Sequence, residues 1–394
     1  MDLHLHLFGA VTPGQALELA QGHAVDWGWL AGCWREAKLT PPDFAALARR
    51  HAAGEGDADR ELADALASGP AGFAAFQARY DLVIACSRWA SGRHDRWSRE
   101  TADEVDRVCA LVAARGPAEM RVLLPGTASD AWAEAAINHL ALNAVRHGQH
   151  LALSLPRSAP MRHWPLVAAA MTRHPCLTGI DLCGIEDEPS AHAALAAAIA
   201  ACARRPAFLV HVGEQLREVQ PLTAVRRVWD AVALGADRLG HALAVRLDPS
   251  AWPETPAWER VDERRARLAW LQWQAEDLGL DADAIDRELA DLAPRDPASQ
   301  LAAEPVDPGL LRACQDAVLT RIHQAGRTIE VCPTSNRVVS GAPVSAHGIE
   351  RLQASGVSWV VGSDDPGILG TTLVAELAHA AGAAGICAET RECP

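Results

Sequence analysis

The sequence is poor in positive charge and almost free of lysine. Its 36 lysine and arginine residues face 50 aspartates and glutamates, which gives a formal net charge of −14 at pH 7, and Lys38 is the single lysine. Because neutralising phosphates requires a basic surface, this balance disfavours nonspecific binding to nucleic acid or to an anionic membrane. It does not exclude a small anionic ligand in a local pocket.

Two other patterns are missing. The 10 cysteines include no CxxC pair, which excludes a zinc ribbon and a thioredoxin-type motif, and reduced thiols are the simplest account of them. No apolar run approaches the ~20 residues that a membrane span requires, and the N-terminus lacks the basic region of a signal peptide. We therefore expect a soluble, cytoplasmic protein.

Short β-rich runs alternate with amphipathic helical patterns along most of the 394 residues. This alternation is typical of parallel βα units. The expected strands lie near 2–7, 119–124, 150–155, 178–182, 207–212, 237–240, 327–332 and 358–361. The sequence thus predicts an α/β fold, a (β/α)8 TIM barrel, whose chemistry belongs at the C-terminal ends of the strands.

Two segments exceed a minimal barrel. Residues 8–118 are mostly helical in pattern, follow the first strand and could cover the barrel mouth as a lid. Residues 246–305 follow the sixth strand and have the pattern of a helical hairpin. This hairpin is either a solvated decoration or a contact between copies in a homo-oligomer. We expect a single domain over residues 1–394 that contains both segments.

Ionisable side chains collect at the expected strand ends. His4 and His6 alternate along the first strand and so project to one face. The later strand ends carry His211, Glu214, His241, Asp364 and Asp365. Three imidazoles and one carboxylate suit Zn²⁺, which lowers the pKa of a water toward ~7 and so provides a nucleophile. Acid/base work on that water suits His241, Asp365 and Glu214.

Six motifs make the chain resemble the adenosine/AMP deaminase family of zinc hydrolases. They are, in order, HLHLFGA at 4–10, TGIDLCGIE at 178–186, HVGE at 211–214, RLGHA at 238–242, EVCPTSN at 330–336 and GSDDP at 362–366. The resemblance implies a barrel hydrolase with one zinc per chain and a small-molecule purine substrate. Its reaction would convert an adenosine-type 6-aminopurine into an inosine-type product and ammonia.

The same resemblance implies a role for each of these residues. The zinc ligands would be His4, His6, His211 and Asp364. Glu214 would protonate purine N1, and His241 would activate the attacking water. Asp365 would hydrogen-bond N7 and that water, and the backbone amide of Gly184 would contact N3.

The chain departs from the family pattern at position 8. Many adenosine deaminases carry an acid two residues after the second histidine, and it contacts the ribose 5′ hydroxyl, whereas this chain has Phe8. Phenylalanine cannot accept that hydrogen bond. We therefore expect either another group that holds the sugar or a substrate without a free 5′ hydroxyl, such as a nucleotide, a 5′-modified nucleoside or a free base. Arg157 and Arg337 are candidates for contact with a phosphate.

Two other functions stay open. Barrel hydrolases with two metals share the HxH pair and the final aspartate and cleave amides or esters. They commonly use a carboxylated lysine on the fourth strand, but Lys38 lies in the lid segment, and only Glu186 could replace it. The third possibility is a catalytically silent barrel that binds a purine. Zinc content and turnover of a 6-aminopurine separate the three classes.

Overall fold

The computed structural model describes residues 1–91, 94–186, 192–217, 219–254 and 258–383. Its strands are β1 (Asp2–His6), β2 (Ala118–Leu123), β3 (His150–Pro156), β4 (Leu177–Cys183), β5 (Ala207–Val212), β6 (Arg238–His241), β7 (Trp258–Arg260), β8 (Gln300–Ala302), β9 (Thr328–Val331) and β10 (Ser358–Val361). Eight of them form one parallel sheet in the order β1-β2-β3-β4-β5-β6-β9-β10. This order is that of a TIM barrel, so the predicted fold class is confirmed.

The barrel closes between β1 and the residues that follow β10. The backbone N–H of His6 donates to the carbonyl of Asp364 (2.9 Å), and the N–H of Asp364 donates to the carbonyl of His4 (2.7 Å). Leu5 and Asp364 form a parallel bridge at the same place. The seam of the barrel therefore runs through residues that the sequence singles out as metal ligands.

Residues 8–118 form a helical layer between β1 and β2, as predicted. After a 3-10 turn at Phe8–Ala10, the helices are α1 (Pro13–Ala20), α2 (Trp27–Glu36), α3 (Phe44–Ala52), α4 (Asp57–Ala67), α5 (Phe73–Cys86), α6 (Arg88–Ser91) and α7 (Arg99–Arg115). Side chains fix where several of them begin, since Thr12, Asp26, Asp43 and Ser98 each accept a hydrogen bond from the backbone N–H three residues later.

The helices that follow the next strands surround the barrel. They are α8 (Asp130–His147), α9 (Trp164–Arg173), α10 (His192–Ala200) and α11 (Pro221–Ala233), with 3-10 turns at Leu243–Val245 and Pro249–Ala251. α11 buries one side against β5 because its apolar residues recur at helical spacing, including Val225, Val228 and Val232.

The insertion after β6 is helical, as predicted. It contains α12 (Val261–Trp273), α13 (Ala275–Leu278) and α14 (Ala282–Leu292), and α12 packs against α14. The sequence analysis missed the short antiparallel ribbon of β7 and β8, which pairs Trp258 with Ala302 and Arg260 with Gln300 at the base of the insertion. Strands of three residues carry too little alternation to be recognised.

The last part of the described chain returns to the barrel wall. Its helices are α15 (Pro308–Gln324), α16 (Pro333–Ser340), α17 (Ile349–Ala354), α18 (Pro366–Leu369) and α19 (Leu373–Ala383), with a 3-10 turn at Val344–Ala346. Among the residues described, no helix combines the length and the apolar character that crossing a membrane would take.

Candidate active site

The four candidate metal ligands come together at the mouth of the barrel. His4, His6, His211 and Asp364 each offer one ligand atom, and these atoms lie within 4.8 Å of one another. The Nε2 atom of His6 is 3.1 Å from Nε2 of His211 and 3.2 Å from Oδ1 of Asp364, and Nε2 of His4 is 3.4 Å from the same oxygen. The first, fifth and last strands of the barrel thus converge on one point.

The chemistry of this donor set fits a cation. Nε2 of His4 is buried and has no hydrogen-bond partner among the described residues. At the 3.1 Å distance between Nε2 of His6 and Nε2 of His211, two lone pairs would repel each other, so the gap suits either the N–H proton of one ring or a metal ion. Burial alone would lower the pKa of His6, but Asp365 and Asp364 raise it to about 9, whereas burial lowers the pKa of His211 to about 3. The raised pKa of His6 and the lowered pKa of His211 favour a proton on His6 at this point, which a bound metal ion would displace.

Two buried carboxylates orient the imidazoles from behind. The Nδ1 atom of His4 is 2.8 Å from Glu330 on β9, and Nδ1 of His211 is 3.0 Å from Asp181 on β4. A carboxylate at Nδ1 keeps the proton on that nitrogen and leaves Nε2 free to bind a metal, which is the usual arrangement behind histidine ligands. These contacts therefore prepare both rings for the same ion.

Arg121 on β2 joins the two carboxylates. Its NH2 atom lies 2.6 Å from Glu330, and its NH1 atom lies 3.6 Å from Asp181. Burial alone would raise the pKa of each carboxyl. His211 and Arg121 nevertheless hold the pKa of Asp181 below its usual value. Arg121 and His4 do the same for the pKa of Glu330. Both carboxylates are thus charged, and the arginine balances the charge that the histidines face.

A second set of groups stands beside the ligands. Nε2 of His241 is 3.4 Å from Glu214, and Nδ1 of His241 is 3.0 Å from Oδ1 of Asn336. Burial lowers the pKa of His241, so its ring is neutral at pH 7, and Asn336 directs the ring proton to Nδ1. Burial, reinforced by Glu186 and Asp364, raises the pKa of Glu214 well above its usual value. The pair therefore combines a basic imidazole nitrogen with a protonated carboxyl.

The glycine after the two histidines makes room for Asp365. A Cβ atom on Gly9 would lie 1.7 Å from Oδ1 of Asp365, so no other residue fits there without displacing that carboxyl. Burial and the charge of Asp364 raise the pKa of Asp365. Asp364 itself has φ +61° and His241 has φ +63°, a conformation that non-glycine residues rarely adopt and that often marks functional sites.

A cavity of about 130 Å³ opens onto these groups. It is lined by His6, Phe73, Phe76, Gln77, Tyr80, Leu123, Cys183, Gly184, His211, Glu214, His241, Asp364 and Asp365. The residues from α5 were not expected from the sequence, because a helix pattern does not show which distant strand ends it covers. Phe8 is not among the lining residues; it is buried, with its ring 5.6 Å from that of Trp89.

Other polar candidates lie elsewhere. Arg157 is buried and donates to the carbonyl of His211. Lys38 is exposed just after α2, and Glu186 accepts hydrogen bonds from the backbone N–H groups of Gly213 and Glu214. Neither Lys38 nor Glu186 is therefore placed to bridge two metals.

The sequence analysis did not single out the supporting residues Arg121, Asp181, Glu330 and Asn336. A signal for three of them exists, since each is a charged residue inside a mostly apolar strand, in AEMRVL, LTGIDLC and TIEV. Charge at the centre of a buried strand is costly unless it is paired.

Comparison with known families gives one match to a family model. The model described as adenosine deaminase matches residues 294–392. This segment contains the last two of the six motifs, EVCPTSN and GSDDP. The match confirms the resemblance to the adenosine deaminase family.

Two curated relatives are similar over a shorter stretch. An aminodeoxyfutalosine deaminase of Acidothermus cellulolyticus is 36% identical over 74 residues, 18% of this chain and 21% of that protein. An adenine deaminase of Agrobacterium fabrum is 40% identical over 77 residues, 19% of this chain and 24% of that protein. The aligned part of the chain thus spans less than a quarter of each relative's own length.

Solved structures are similar over nearly the whole chain. The protein named ADAL from Arabidopsis, solved with GMP, superposes with a TM-score of 0.56 at 15% identity, covering 98% of this chain and 87% of that one. The N6-methyl-AMP deaminase of Arabidopsis thaliana gives a TM-score of 0.55 at 16% identity, with coverage of 98% and 87%. At this identity the likeness establishes the fold.

Proposed function

From the resemblance to the adenosine deaminase family, we propose that the chain is a zinc-dependent hydrolase that removes the 6-amino group of a purine. The observation that carries this proposal is the convergence of His4, His6, His211 and Asp364 within 4.8 Å, beside a carboxyl with a raised pKa. Three nitrogens and one oxygen form a ligand set that zinc favours. A zinc ion held there would supply a Lewis acid that makes water nucleophilic at neutral pH.

The purine ring would be held by groups on opposite sides of the cavity. Asp365 has a raised pKa, so its carboxyl keeps a proton and can donate a hydrogen bond to N7. Its Oδ1 atom is buried without a partner among the described residues, as expected for a group that awaits a ligand. Gly184 lines the same cavity, and its backbone N–H would meet N3. These contacts would place C6 toward the ligand cluster.

Proton transfers would accompany the reaction. His241 accepts a proton from the attacking water as its oxygen bonds to C6, and Glu214 donates its proton to N1, which would otherwise gain negative charge. The amino group then takes the proton held by His241, the C6–N bond breaks to release ammonia, and the C6 hydroxyl returns its proton to Glu214, so an oxo group remains. His241 and Glu214 lie 3.4 Å apart, so the proposed base and acid would act next to each other in the cavity.

We propose that the substrate is not held at its 5′ end by residue 8. Phe8 lies in the core against Trp89 and has no polar atom to offer a sugar hydroxyl. A nucleotide, a 5′-substituted nucleoside or a free base would not need that contact. Adenine, which the relative from Agrobacterium is named for, has no sugar.

A substrate screen with metal analysis tests the proposal. Purified protein should contain one zinc per chain and release ammonia from at least one of adenosine, deoxyadenosine, AMP, adenine and 5′-substituted adenosines. Asp364→Ala should lose both zinc and turnover, and Asp106→Ala serves as the control, because Asp106 on α7 pairs with His139 and does not line the catalytic cavity. Full zinc without turnover of any of these compounds would support a silent binding barrel instead.

A specific observation keeps the two-metal function in the test. His241, Cys332 and Asp364 form a second group of potential ligands in the described part of the chain. Burial raises the pKa of the Cys332 thiol, however, so the thiolate that a metal requires is disfavoured. Two ions per chain, with cleavage of an amide or ester, would establish that function in place of deamination.

Two further proposals concern the setting of the protein. We propose a cytoplasmic location, because all eight cysteines in the described ranges are free thiols.

We also propose that the insertion after β6 contacts a second copy. Trp258 and Trp273 on this insertion are 59% and 68% exposed. Analytical ultracentrifugation tests this contact by comparing the oligomeric state of Trp273→Ser with that of the unaltered chain. If the contact exists, the variant should contain more monomer.

A further inference from the structure

A second cavity, larger than the catalytic one, lies beside it. It has a volume of about 590 Å³ and is bounded by the residues that connect α4 to α5, by α16 and by α18. None of its lining residues also lines the catalytic cavity. Helix α5 separates the two, since Phe76 and Tyr80 face the catalytic cavity and Arg79 faces the second one.

The charge of this cavity is opposite to that of the chain. Arg79 and Arg337 are its only charged lining residues in the described part of the chain, and no aspartate or glutamate lines it. The remaining wall consists of glycine, alanine, proline and other apolar residues. In a protein of net charge −14, two arginines without an acid form a local site for an anion.

Arg79 is buried without the partners that a guanidinium requires. It is 5% exposed, and its NH2 atom donates to the carbonyls of Ser68 (2.6 Å) and Pro70 (3.4 Å). Its Nε and NH1 atoms have no hydrogen-bond partner among the described residues. Burial lowers the pKa of this guanidinium from its usual value. A buried charge with unused donors is costly unless a ligand satisfies it.

Some buried arginines in the described part of the chain are paired with acids, whereas Arg157 and Arg246, like Arg79, donate to backbone carbonyls. Arg121 contacts Glu330 at 2.6 Å, and Arg267 contacts Glu259 at 2.8 Å. No carboxylate lies within ion-pair distance of Arg79 in the ranges that the structure describes. The second cation of the cavity, Arg337, lies in the last turn of α16, where it is exposed and lines the cavity wall. Arg79 differs from Arg157 and Arg246 because two of its buried nitrogens, Nε and NH1, lack a partner among the described residues, whereas in each of the other two a single buried nitrogen, Nε, lacks one.

We infer that this cavity binds a phosphate-type oxyanion between Arg79 and Arg337. The planar guanidinium offers paired N–H donors that match the oxygens of a phosphate, and hydrogen bonds of this charged kind are the strong ones. The phosphate has two sources: a free anion, or the phosphate of a nucleotide that reaches over α5 from the catalytic cavity.

Calorimetric titration of the full chain with inorganic phosphate, at constant ionic strength, tests this site. We expect saturable binding at one site per chain, and Arg79→Gln and Arg337→Gln should each weaken it at least ~10-fold. Arg115→Gln is the matched control, because Arg115 also donates to a backbone carbonyl, that of Ala10 (2.8 Å), but does not line the cavity. Arg337 is exposed, so Arg337→Gln should fold normally. Its phosphate affinity therefore tests the site even if Arg79→Gln fails to fold.

Competition distinguishes the sources of the phosphate. If AMP displaces inorganic phosphate and adenine does not, the nucleotide brings its phosphate into the cavity. If neither displaces it, the site takes a free anion. Displacement by both, absence of saturable binding, or equal binding in all three variants would overturn the inference. The readout is binding alone, so it holds whether or not the chain deaminates any purine.

Discussion

Replacing Glu330 by glutamine should weaken zinc binding without removing a ligand. The wild-type carboxylate accepts from Nδ1 of His4 at 2.8 Å and from Arg121 at 2.6 Å. Glutamine keeps the size of the side chain but loses the charge, so it can no longer fix the His4 ring and balance Arg121 together. Loss of such a supporting contact costs 10- to 100-fold in metal affinity, or about 1.4 to 2.7 kcal/mol.

The same change should also destabilise the metal-free protein. Breaking a buried ion pair by removing one charge costs about 3 to 5 kcal/mol. The lower end is expected here, because Asp181 stays 3.6 Å from Arg121 and retains part of the compensation. Denaturant unfolding in the presence of a chelator measures this cost separately from metal binding.

Glu119→Gln provides the control for the two effects. Glu119 is also a buried carboxylate, on β2, and it pairs with Arg238 and accepts from Thr178 at 3.1 Å, but it touches no histidine. It should lower stability and leave zinc affinity unchanged. Competition for zinc with a chromophoric chelator gives both dissociation constants. A zinc affinity of Glu330→Gln within twofold of wild type, or an equal loss in Glu119→Gln, would refute the role assigned to Glu330.

Three other predictions concern single residues. Glu214→Gln should keep zinc while the deamination rate falls at least ~100-fold in a steady-state assay, and a near-normal rate would remove Glu214 from the role of acid. Burial and Arg246 lower the pKa of His347 to about 3. The folded state then binds fewer protons than the unfolded state below about pH 6.5, so stability falls from there toward pH 3 by on the order of 4 kcal/mol. Unfolding of His347→Asn across this range should show a smaller fall, and an equal fall would count against the buried neutral ring. Phe8→Asp should lower the melting temperature strongly, because an unpaired carboxylate would face Trp89, whereas Phe8→Leu should be mild; equal stability of the two would contradict the core position of Phe8.

The barrel could be predicted closely from the sequence. The observed bounds of the eight barrel strands differ from the predicted ones by at most one residue at either end. Parallel strands covered on both faces are short apolar runs bounded by turns, and that pattern is local. The ribbon of β7 and β8 was missed because its three-residue strands gain their identity only from pairing with each other.

The candidate site could be predicted in part. The candidate metal ligands stand at strand ends, so the barrel rule predicts that His4, His211 and Asp364 lie together, although it gives no distance between them. What supports them could not be placed in this way. Arg121 and Glu330 are separated by more than two hundred residues, and their pairing follows from barrel closure, not from a motif.

In the lid segment, too, the local sequence pattern does not show which side chains reach the catalytic cavity. Tyr80 and Phe76 have the spacing of an ordinary amphipathic helix, and only the packing of α5 over the barrel turns them toward the catalytic cavity. Phe8 shows the opposite case. The motif shows that Phe8 stands where many relatives have a sugar-binding acid, but only the structure shows that its ring is buried beside Trp89.

The hydrogen bonds between His4, His6 and Asp364 also determine when the candidate metal centre can form during synthesis and folding. A ribosome makes His4 and His6 first and Asp364 about 360 residues later, yet these residues hold each other across the barrel seam. Contacts of such separation form late in folding. A nascent chain would therefore present two histidines and no complete candidate metal centre until β10 and Asp364 have been made. The proposed zinc loading would then report that the barrel has closed, and chains truncated before β10 should emerge without metal.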